Sequence, residues 1–364
     1  MNKKGNEILQ REHVTYLLGA GASVGTWKHD KQNTGVPMYS QMESAVNRLL
    51  SEVKMGPTLQ EELRWLMDKC KRYGTIDVYA KKIYDGEIIN VDYGMELDKI
   101  KRLLTLCFVL WQNEKNFDTR YTQFIQQITN SNGTFVDNVR ILSWNYDVQL
   151  ELAYRDAFPD LFVDFDYTYR NIFNAICKTF FACRFKPLLP FTYTKLNGVA
   201  LPLLVNLREP ATSLKDVISN HTSEQKISYF NSYGYDEKKR HQISSAISFA
   251  WEQRCFDNDQ FRLEIERSIN STTILVIIGY SFPDVNHNMD SFIINSMQYL
   301  QRIVIQDKSP SQVKQKVELL TQGKVPIDTV EDLSRFYVPH TSSNSFKYCR
   351  DGNAYPIKTS YTGI

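Results

Sequence analysis

The chain has 364 residues, of which 42% are hydrophobic and 23% charged, and its formal net charge is +2 at pH 7. This composition indicates a globular protein with a large core, and it excludes an intrinsically disordered chain. Because positive and negative charges nearly balance, the chain lacks the strong basic field of a protein that grips a nucleic-acid backbone, and direct nucleic-acid binding is not expected.

Four short apolar runs predict the strands of a parallel sheet. They lie at residues 14–18, 139–144, 274–278 and 303–305. Their apolar residues are successive and do not alternate with polar ones, as expected when helices cover both faces of a sheet. The sequence therefore predicts an α/β fold with a Rossmann-like parallel sheet. Its core comprises about residues 13–50, 136–207 and 271–310.

Two helical insertions are predicted between these core segments. In the first, at about residues 51–135, apolar residues recur at helical spacing over residues 59–71, 95–114 and 121–129. The second, at about residues 208–270, is Ser-rich and charged and has few strand signals.

The chain beyond the fourth strand is simpler. A helix is predicted over residues 311–322, followed by a short strand–helix pair that ends near Tyr337. We therefore assign residues 1–337 to one domain and residues 338–364 to a C-terminal tail.

Glycines follow the first predicted strand directly. Gly19, Gly21 and Gly25 are spaced as G-x-G-x-x-x-G, one residue longer than the usual dinucleotide fingerprint. Ligands of open α/β sheets lie beyond the carboxyl ends of the strands, where glycine lets the main chain approach phosphates. Glycines after strands are also ordinary turn residues, so this motif alone is weak.

Polar residues follow the other three strands. Asn145 and Asp147 come after the second strand; Asp147 is also a plausible helix cap, whereas Asn145 has no obvious packing value. Gly279 and Ser281 follow the third strand, and Asp307 follows the fourth, where a carboxylate can accept from a ribose hydroxyl. We expect these four junctions to converge on one cleft.

Seven motifs in this order resemble the prokaryotic SIR2-like family, relatives of sirtuins found in bacterial antiphage defence. They are GAGAS (19–23), TGVPMY (34–39), IDVYAKKIY (76–84), NYD (145–147), KLNG (195–198), GYSFPDVNHN (279–288) and QD (306–307). The resemblance spans about residues 13–337 and implies a SIR2/DHS-like NAD-binding fold. It also explains the glycine spacing, since loops of this type resemble G-A-G-x-S.

The resemblance implies an NAD glycohydrolase that releases nicotinamide and ADP-ribose and acts by NAD depletion. Cleavage at the nicotinamide ribose C1′ passes through an oxocarbenium-like state, so orientation and charge stabilisation matter most. By resemblance, Asn145 orients water or ribose, and Asp147 holds the nicotinamide amide or favours the cationic sugar. The same resemblance gives the adenosine-side ribose to Ser281 and Asp307. It lines the NAD site with Gly19, Ala20, Gly21, Ala22, Ser23 and Gly279.

One motif departs from the family. Many relatives have a histidine base where KLNG has Asn197, and an amide cannot take a proton near neutral pH, which removes help usually worth about 10²–10⁴ in rate. One explanation is that orientation alone suffices, and a second is that another group substitutes for the histidine. His287 is the nearest candidate for that group, although a surface or capping histidine is the simpler interpretation. The third alternative is a non-catalytic scaffold subunit that binds NAD or ADP-ribose.

Metal, membrane and partner expectations complete the analysis. No C-x-x-C pair is present, so a four-cysteine zinc site and sirtuin-type deacetylation are not expected, and NAD is the one small molecule implied. No apolar run reaches about 18 residues and the N-terminus lacks a signal-peptide core, so we expect a cytoplasmic protein without a membrane segment. The resemblance implies a homo-oligomer controlled by a HerA-like ATPase or another defence partner.

Overall fold

The computed structural model describes residues 12–25, 35–112, 118–131, 133–159, 193–204, 209–210, 222–227, 243–249, 251–252, 259–339, 346–348 and 354–356. The strands are β1 (Val14–Leu18), β2 (Val139–Ser143), β3 (Tyr193–Lys195), β4 (Gly198–Leu204), β5 (Glu209–Pro210), β6 (Ile243–Ile247), β7 (Ile274–Ile278), β8 (Arg302–Gln306), β9 (Ile327–Val330), β10 (Phe346–Tyr348) and β11 (Ala354–Pro356). The helices are α1 (Met42–Glu52), α2 (Pro57–Tyr73), α3 (Ile76–Tyr84), α4 (Tyr93–Trp111), α5 (Thr119–Ile128), α6 (Gln149–Ala157), α7 (Asp259–Ile269), α8 (His287–Ser296) and α9 (Pro310–Thr321).

Six strands form the central sheet in the order β3-β2-β1-β7-β8-β9, and every neighbouring pair is parallel. When only these six strands are numbered along the chain, their order is 3-2-1-4-5-6, which is the order of the doubly wound sheets that bind dinucleotides. The predicted α/β class is therefore confirmed. The strand order reverses at β1, so the carboxyl ends of β1 and β7 border the crevice where such sheets bind ligands.

Helices cover both faces of the sheet. Tyr16 and Ile141 face α5 and α6, whereas Leu17, Leu275 and Ile277 face α7, α8 and α9. Successive strand residues point to opposite faces, so a strand covered on both sides is apolar throughout. This explains why β1 and β7 have the bounds predicted from their apolar runs.

The first helical insertion has a core of its own. Helices α1–α3 bury one side each, and α4 is buried on all sides from residue 103 to residue 109. Leu63, Leu66, Ile100 and Leu103 lie in this core. Side-chain caps fix two of the helix starts, since Thr75 accepts from the Val78 N–H at 3.0 Å and Asp92 caps α4 in the same way. The predicted helices are confirmed, but α5 packs on the sheet and not in this insertion.

The second insertion is not purely helical, and the prediction is wrong for residues 243–247. These residues form β6, which pairs antiparallel with β4 in a three-stranded sheet. Ile247 and Phe249 join the core of the first insertion, and this non-local pairing overrides the weak local pattern. The rest of the segment that is described includes α7.

Several predicted segments are only partly covered. Most of residues 208–242 and of the tail 338–364, together with residues 160–192 of the core, lie outside the described residues. The described part of the tail contains β10 and β11, which pair antiparallel with each other. Within the described ranges no helix combines the length and apolar character needed to cross a bilayer.

Candidate functional site

The glycine loop after β1 turns back onto the end of β7. The Gly19 N–H donates to the Ile278 carbonyl at 3.0 Å, and the Gly21 N–H donates to the Gly279 carbonyl at 2.9 Å. A 3₁₀ turn over Ala20–Ala22 uses the Ala22 and Ser23 N–H groups internally. Four amides that could have bound phosphate therefore bond within the protein in this conformation.

Close packing explains the glycines at this junction. A Cβ at Gly19 would lie 2.5 Å from the Gly279 carbonyl oxygen, and one at Gly21 would lie 2.8 Å from the Gly279 Cα. Gly279 itself has a φ of 61°, which glycine adopts without strain. The loops after β1 and β7 thus meet as predicted, and contact between their glycines and NAD stays a prediction.

Ser23 joins the glycine loop to Asn145. The Ser23 side chain is fully buried, with 0% exposure. Its Oγ accepts from the Asn145 Nδ2 at 3.0 Å and lies 3.0 Å from the Tyr121 hydroxyl. One buried hydroxyl therefore joins the ends of β1 and β2 to the first turn of α5. The sequence predicted that the ends of β1 and β2 meet, but not the contact with α5.

Asp147 lies just before α6, two residues after Asn145. It is buried, and its Oδ1 accepts from the Gln149 N–H at 3.0 Å. Burial raises the pKa of the Asp147 carboxyl, while Lys195 and hydrogen bonds that include one from Ser23 act in the opposite direction. The predicted capping role is not confirmed, since the N-cap of α6 is Val148 and no side chain caps it. The Asp147 carboxyl instead bonds to the first residue of the helix.

Two buried charges that sequence analysis missed support this turn. Lys195 and Glu151 are each 1% exposed, and the Lys195 Nζ lies 3.5 Å from the Glu151 Oε1. Burial raises the pKa of Glu151 to about 7, and Lys195 opposes that shift. The local sequence contains no signal for either charge, because β3 reads Tyr-Thr-Lys and is not an apolar run. In the structure the buried ammonium needs partners.

Asn197 follows Lys195 on the same strand end. Its Nδ2 donates to the Trp144 carbonyl at 3.3 Å. Its Oδ1 is buried and has no hydrogen-bond partner among the described residues. A buried acceptor without a partner is costly, so this oxygen is suited to a donor group of a ligand.

Ser281, His287 and Asp307 do not join this cluster. Ser281 and His287 are exposed, and His287 lines a groove with Phe282 and Lys316 between α8 and α9. The His287 Nε2 lies 3.5 Å from the Ser291 Oγ on its own helix, as the simpler interpretation of a surface histidine predicts. In the described part of the chain none of the three bonds to Ser23, Asn145 or Asp147.

Asp307 has a local role in the structure. Its Oδ1 accepts from the Ser309 N–H at 2.8 Å, next to the start of α9. The main chain after β7 is held against α9, since the carbonyls of Ser281 and Phe282 accept from the Lys316 Nζ at 3.1 and 2.7 Å. Phe282 itself has a φ of 50°. These three predicted side chains therefore do not belong to the Ser23–Asn145 cluster, and the convergence of the four strand ends on one cleft stays a prediction.

A second buried carboxyl group lies behind the end of β7. The Tyr280 hydroxyl donates to Asp290 at 2.9 Å and accepts from the Asn286 Nδ2 at 3.1 Å. The Tyr280 ring stacks on Trp144, with ring centroids 5.6 Å apart. Burial raises the pKa of Asp290 to about 8. Sequence analysis missed this group because its apolar surroundings come from separate elements.

Asp77 links the helical insertion to the same edge of the sheet. The Tyr146 hydroxyl donates to the Asp77 Oδ1 at 3.3 Å. Burial raises the pKa of Asp77 to about 6, and the hydrogen bond from Tyr146 opposes that shift. Tyr146 thus faces the insertion while its two neighbours in sequence face Ser23 and α6.

Metal-ligating side chains are not clustered in this region. Among the residues that the structure describes, no group of three or more His, Cys, Asp or Glu could hold a metal ion. The expectation of a metal-free site stays a prediction.

No protein-family model matches the sequence, and no curated protein matches it. Among solved structures, the chain is similar to a Sir2 protein in complex with the inhibitor EX-527, 2'-O-acetyl-ADP-ribose and a deacetylated p53 peptide. The identity is 10%, the match covers 86% of this chain and 94% of that chain, and the TM-score is 0.32. A likeness at this score carries no functional information, so the site is interpreted from its own residues and from the sheet order.

Proposed function

We propose that the protein hydrolyses NAD to nicotinamide and ADP-ribose at the carboxyl edge of β1 and β2. The observation that carries the proposal is the buried contact of Asn145 with Ser23 beside the Asp147 carboxyl group. The motifs that resemble the SIR2-like family supply the substrate class. The end of β1 is common to this site and to the crevice between β1 and β7, which supports a nucleotide ligand.

The chemistry demands little proton transfer, which suits these residues. Nicotinamide leaves as a neutral molecule, so the site needs an oriented substrate, a positioned water and groups that tolerate a developing cation. We assign water or ribose orientation to Asn145 and contact with the nicotinamide amide or the cationic sugar to Asp147. The unpartnered Asn197 Oδ1 is suited to accept from a ribose hydroxyl.

Nicotinamide release from purified protein, alone and with candidate partners, tests the proposal. Asn145→Ala is expected to lower the rate by about 10²–10³, the usual effect of removing one positioned polar group. Asn130→Ala, at an exposed asparagine whose Nδ2 donates to Thr134, is the matched control and should keep the wild-type rate. An Asn145→Ala variant as active as this control would contradict the proposal.

A non-catalytic NAD- or ADP-ribose-binding scaffold is the second candidate. It is favoured by Asn197, which cannot act as a base, and by the glycine-loop amides that bond within the protein. Tight binding of NAD without nicotinamide release in every assembly would support it. Release that appears only in Asn197→His would likewise point to a wild-type binding module.

We extend the proposal to a biological role on the motif resemblance alone. NAD depletion in the cytoplasm would make this chain an effector of antiphage defence, held inactive until it assembles with itself and with a HerA-like ATPase or another defence partner. Measuring cellular NAD and phage plating, with and without the neighbouring gene, tests this role. Unchanged NAD during infection would contradict it even if the purified enzyme is active.

A further inference from the structure

Lys195 is a buried cation at the carboxyl end of β3. Its Nζ donates to the Asn145 main-chain carbonyl at 3.1 Å and also to the Asp147 main-chain carbonyl. The third partner of the ammonium is the Glu151 carboxyl group, whose Oε1 lies 3.5 Å from the Nζ. Burying an ammonium is costly unless each N–H finds a partner, and the turn at residues 145–147 supplies two of the three.

These bonds replace a sheet ladder that has ended. The parallel pairing of β2 with β3 stops at Ser143 and Lys195, after which the Leu196 N–H still donates to the Ser143 carbonyl at 2.8 Å. The carbonyls of Asn145 and Asp147 lie beyond that point and accept from the lysine side chain. The ammonium therefore holds the main chain of the turn from which both side chains project.

We propose that Lys195 is a positioning residue, which fixes Asn145 and Asp147 through their main-chain carbonyls and does not touch the substrate. The same strand end carries Asn197, so the lysine also sets the spacing between the turn after β2 and the unpartnered Asn197 Oδ1. The assignment deepens the proposed NAD hydrolysis and rests on it for its catalytic consequence.

A second buried lysine provides a matched control. The Lys226 Nζ donates to the carbonyls of Val109 and Gln112 at 3.2 and 3.1 Å, at the end of α4 in the helical insertion. Lys195 and Lys226 are 1% and 8% exposed. Lys195→Met and Lys226→Met each remove a buried ammonium from two main-chain carbonyls, so they separate a general loss of stability from an effect on the site.

Amide hydrogen exchange without NAD tests positioning independently of activity. Lys195→Met is expected to speed exchange at the Asn145 and Gln149 amides by about tenfold relative to the rest of the sheet, whereas Lys226→Met leaves those two amides unchanged. Val148 is not compared, because its N–H donates to the Gln112 side chain and Lys226 holds the Gln112 carbonyl. Wild-type exchange at Asn145 and Gln149 in folded Lys195→Met would overturn the proposal. If that variant cannot be purified, Lys195→Gln, which cannot keep both carbonyl bonds, is measured against the same criterion.

Steady-state kinetics test the catalytic consequence. Lys195→Met is expected to lower kcat for nicotinamide release by about 10- to 100-fold with a smaller change in KM, because the reacting groups are displaced while most binding contacts remain. Lys195→Arg, which keeps charge and donors, should restore most of the rate, and Lys226→Met should keep it. Equal losses in the two methionine variants would overturn the proposal. A wild-type protein that never hydrolyses NAD would instead refute the proposed function, and the exchange result would still decide the role of Lys195.

Discussion

Ser23 concentrates the contacts of the candidate site in one small side chain. Its hydroxyl accepts from the Asn145 amide, bonds to Tyr121 and contributes to the environment of Asp147. All of this lies out of contact with water, where a lost hydrogen bond leaves its partner unsatisfied. Replacing Ser23 by alanine removes only this hydroxyl, and with it the hydrogen-bond acceptor of the Asn145 side chain.

Ser23→Ala is expected to lower the free energy of unfolding by about 1–3 kcal/mol, because it leaves a buried amide and a buried hydroxyl without this partner. Ser51→Ala, at an exposed serine whose Oγ donates to the Arg48 carbonyl at 2.9 Å, should change it by less than about 0.5 kcal/mol. Urea denaturation followed by circular dichroism measures both. Equal effects of the two substitutions would show that the Ser23 network contributes nothing to stability.

Glu151, a second buried residue near the site, makes the free energy of unfolding depend on pH. Its folded-state pKa of about 7 exceeds the ordinary value of 4.5 because of burial. Between these values the folded protein holds the proton more tightly than the unfolded chain does, so this group makes unfolding easier as pH rises. The contribution is greatest below pH 4.5 and is lost above about pH 7.

Glu151→Gln is expected to reduce the decline of the unfolding free energy between pH 4.5 and 7 by about 3 kcal/mol. A decline due to Asp77 and Asp290, whose pKa values burial also raises, remains in the variant. Denaturant titrations at several pH values test this. Glu43→Gln, at an exposed position of α1, should leave the slope unchanged. A slope in Glu151→Gln equal to that of the wild type would mean that Glu151 does not contribute to the decline.

At the scale of elements, the loops after β1 and β7 are joined by glycine packing. Gly279 and Gly323 both adopt a positive φ, 61° and 65°. A Cβ at Gly279 would overlap the main chain of Gly21 and Ala22, whereas one at Gly323 would meet nothing within 4 Å. Comparing substitutions at Gly279 and Gly323 therefore separates the free-energy cost of the left-handed conformation from the cost of overlap with the neighbouring loop.

Gly323→Ala is expected to cost about 1–2 kcal/mol of stability from the left-handed conformation alone. Gly279→Ala should cost about 1–3 kcal/mol more, because the loop after β1 must also move. Thermal unfolding of both variants measures the difference. Equal melting temperatures would show that the two loops separate freely.

The sequence predicts elements whose pattern is local and misses those set by distant partners. β1 and β7 were predictable because both of their faces are buried, and the Gly19 and Asn145 junctions because parallel strands end at one edge. β6 was missed because its pairing with β4 decides its conformation. Likewise, nothing local to Lys195 reveals which carbonyls it meets, and nothing before Phe282 reveals that Lys316 holds the chain there.

At the scale of the molecule, the candidate site lies where separate hydrophobic cores meet. Asn145 and Asp147 belong to the sheet layers, and Tyr146 between them packs on Phe108 and Phe249 of the insertion, with ring centroids 5.8 and 6.3 Å away. The Tyr146 carbonyl also accepts from the Ala200 N–H of β4 at 2.8 Å. One residue thus couples the turn of the site to the helical insertion.

Tyr146→Ala is therefore expected to loosen the insertion as a unit, in addition to costing about 3–5 kcal/mol for the cavity it leaves. Hydrogen exchange should accelerate in α3 and α4 while β7 and β8 exchange only through global unfolding. Tyr146→Phe keeps the ring contacts and removes only the bond to Asp77, so it should cost about 1 kcal/mol.

Tyr154→Ala, which opens a cavity in the core around α6, is the control of equal size. It should destabilise the fold without selective exchange in α3 and α4, because its ring packs on Phe135 and Phe158, which lie outside both helices. If both alanine variants accelerate exchange uniformly, the cores unfold as one unit and Tyr146 does not couple two bodies.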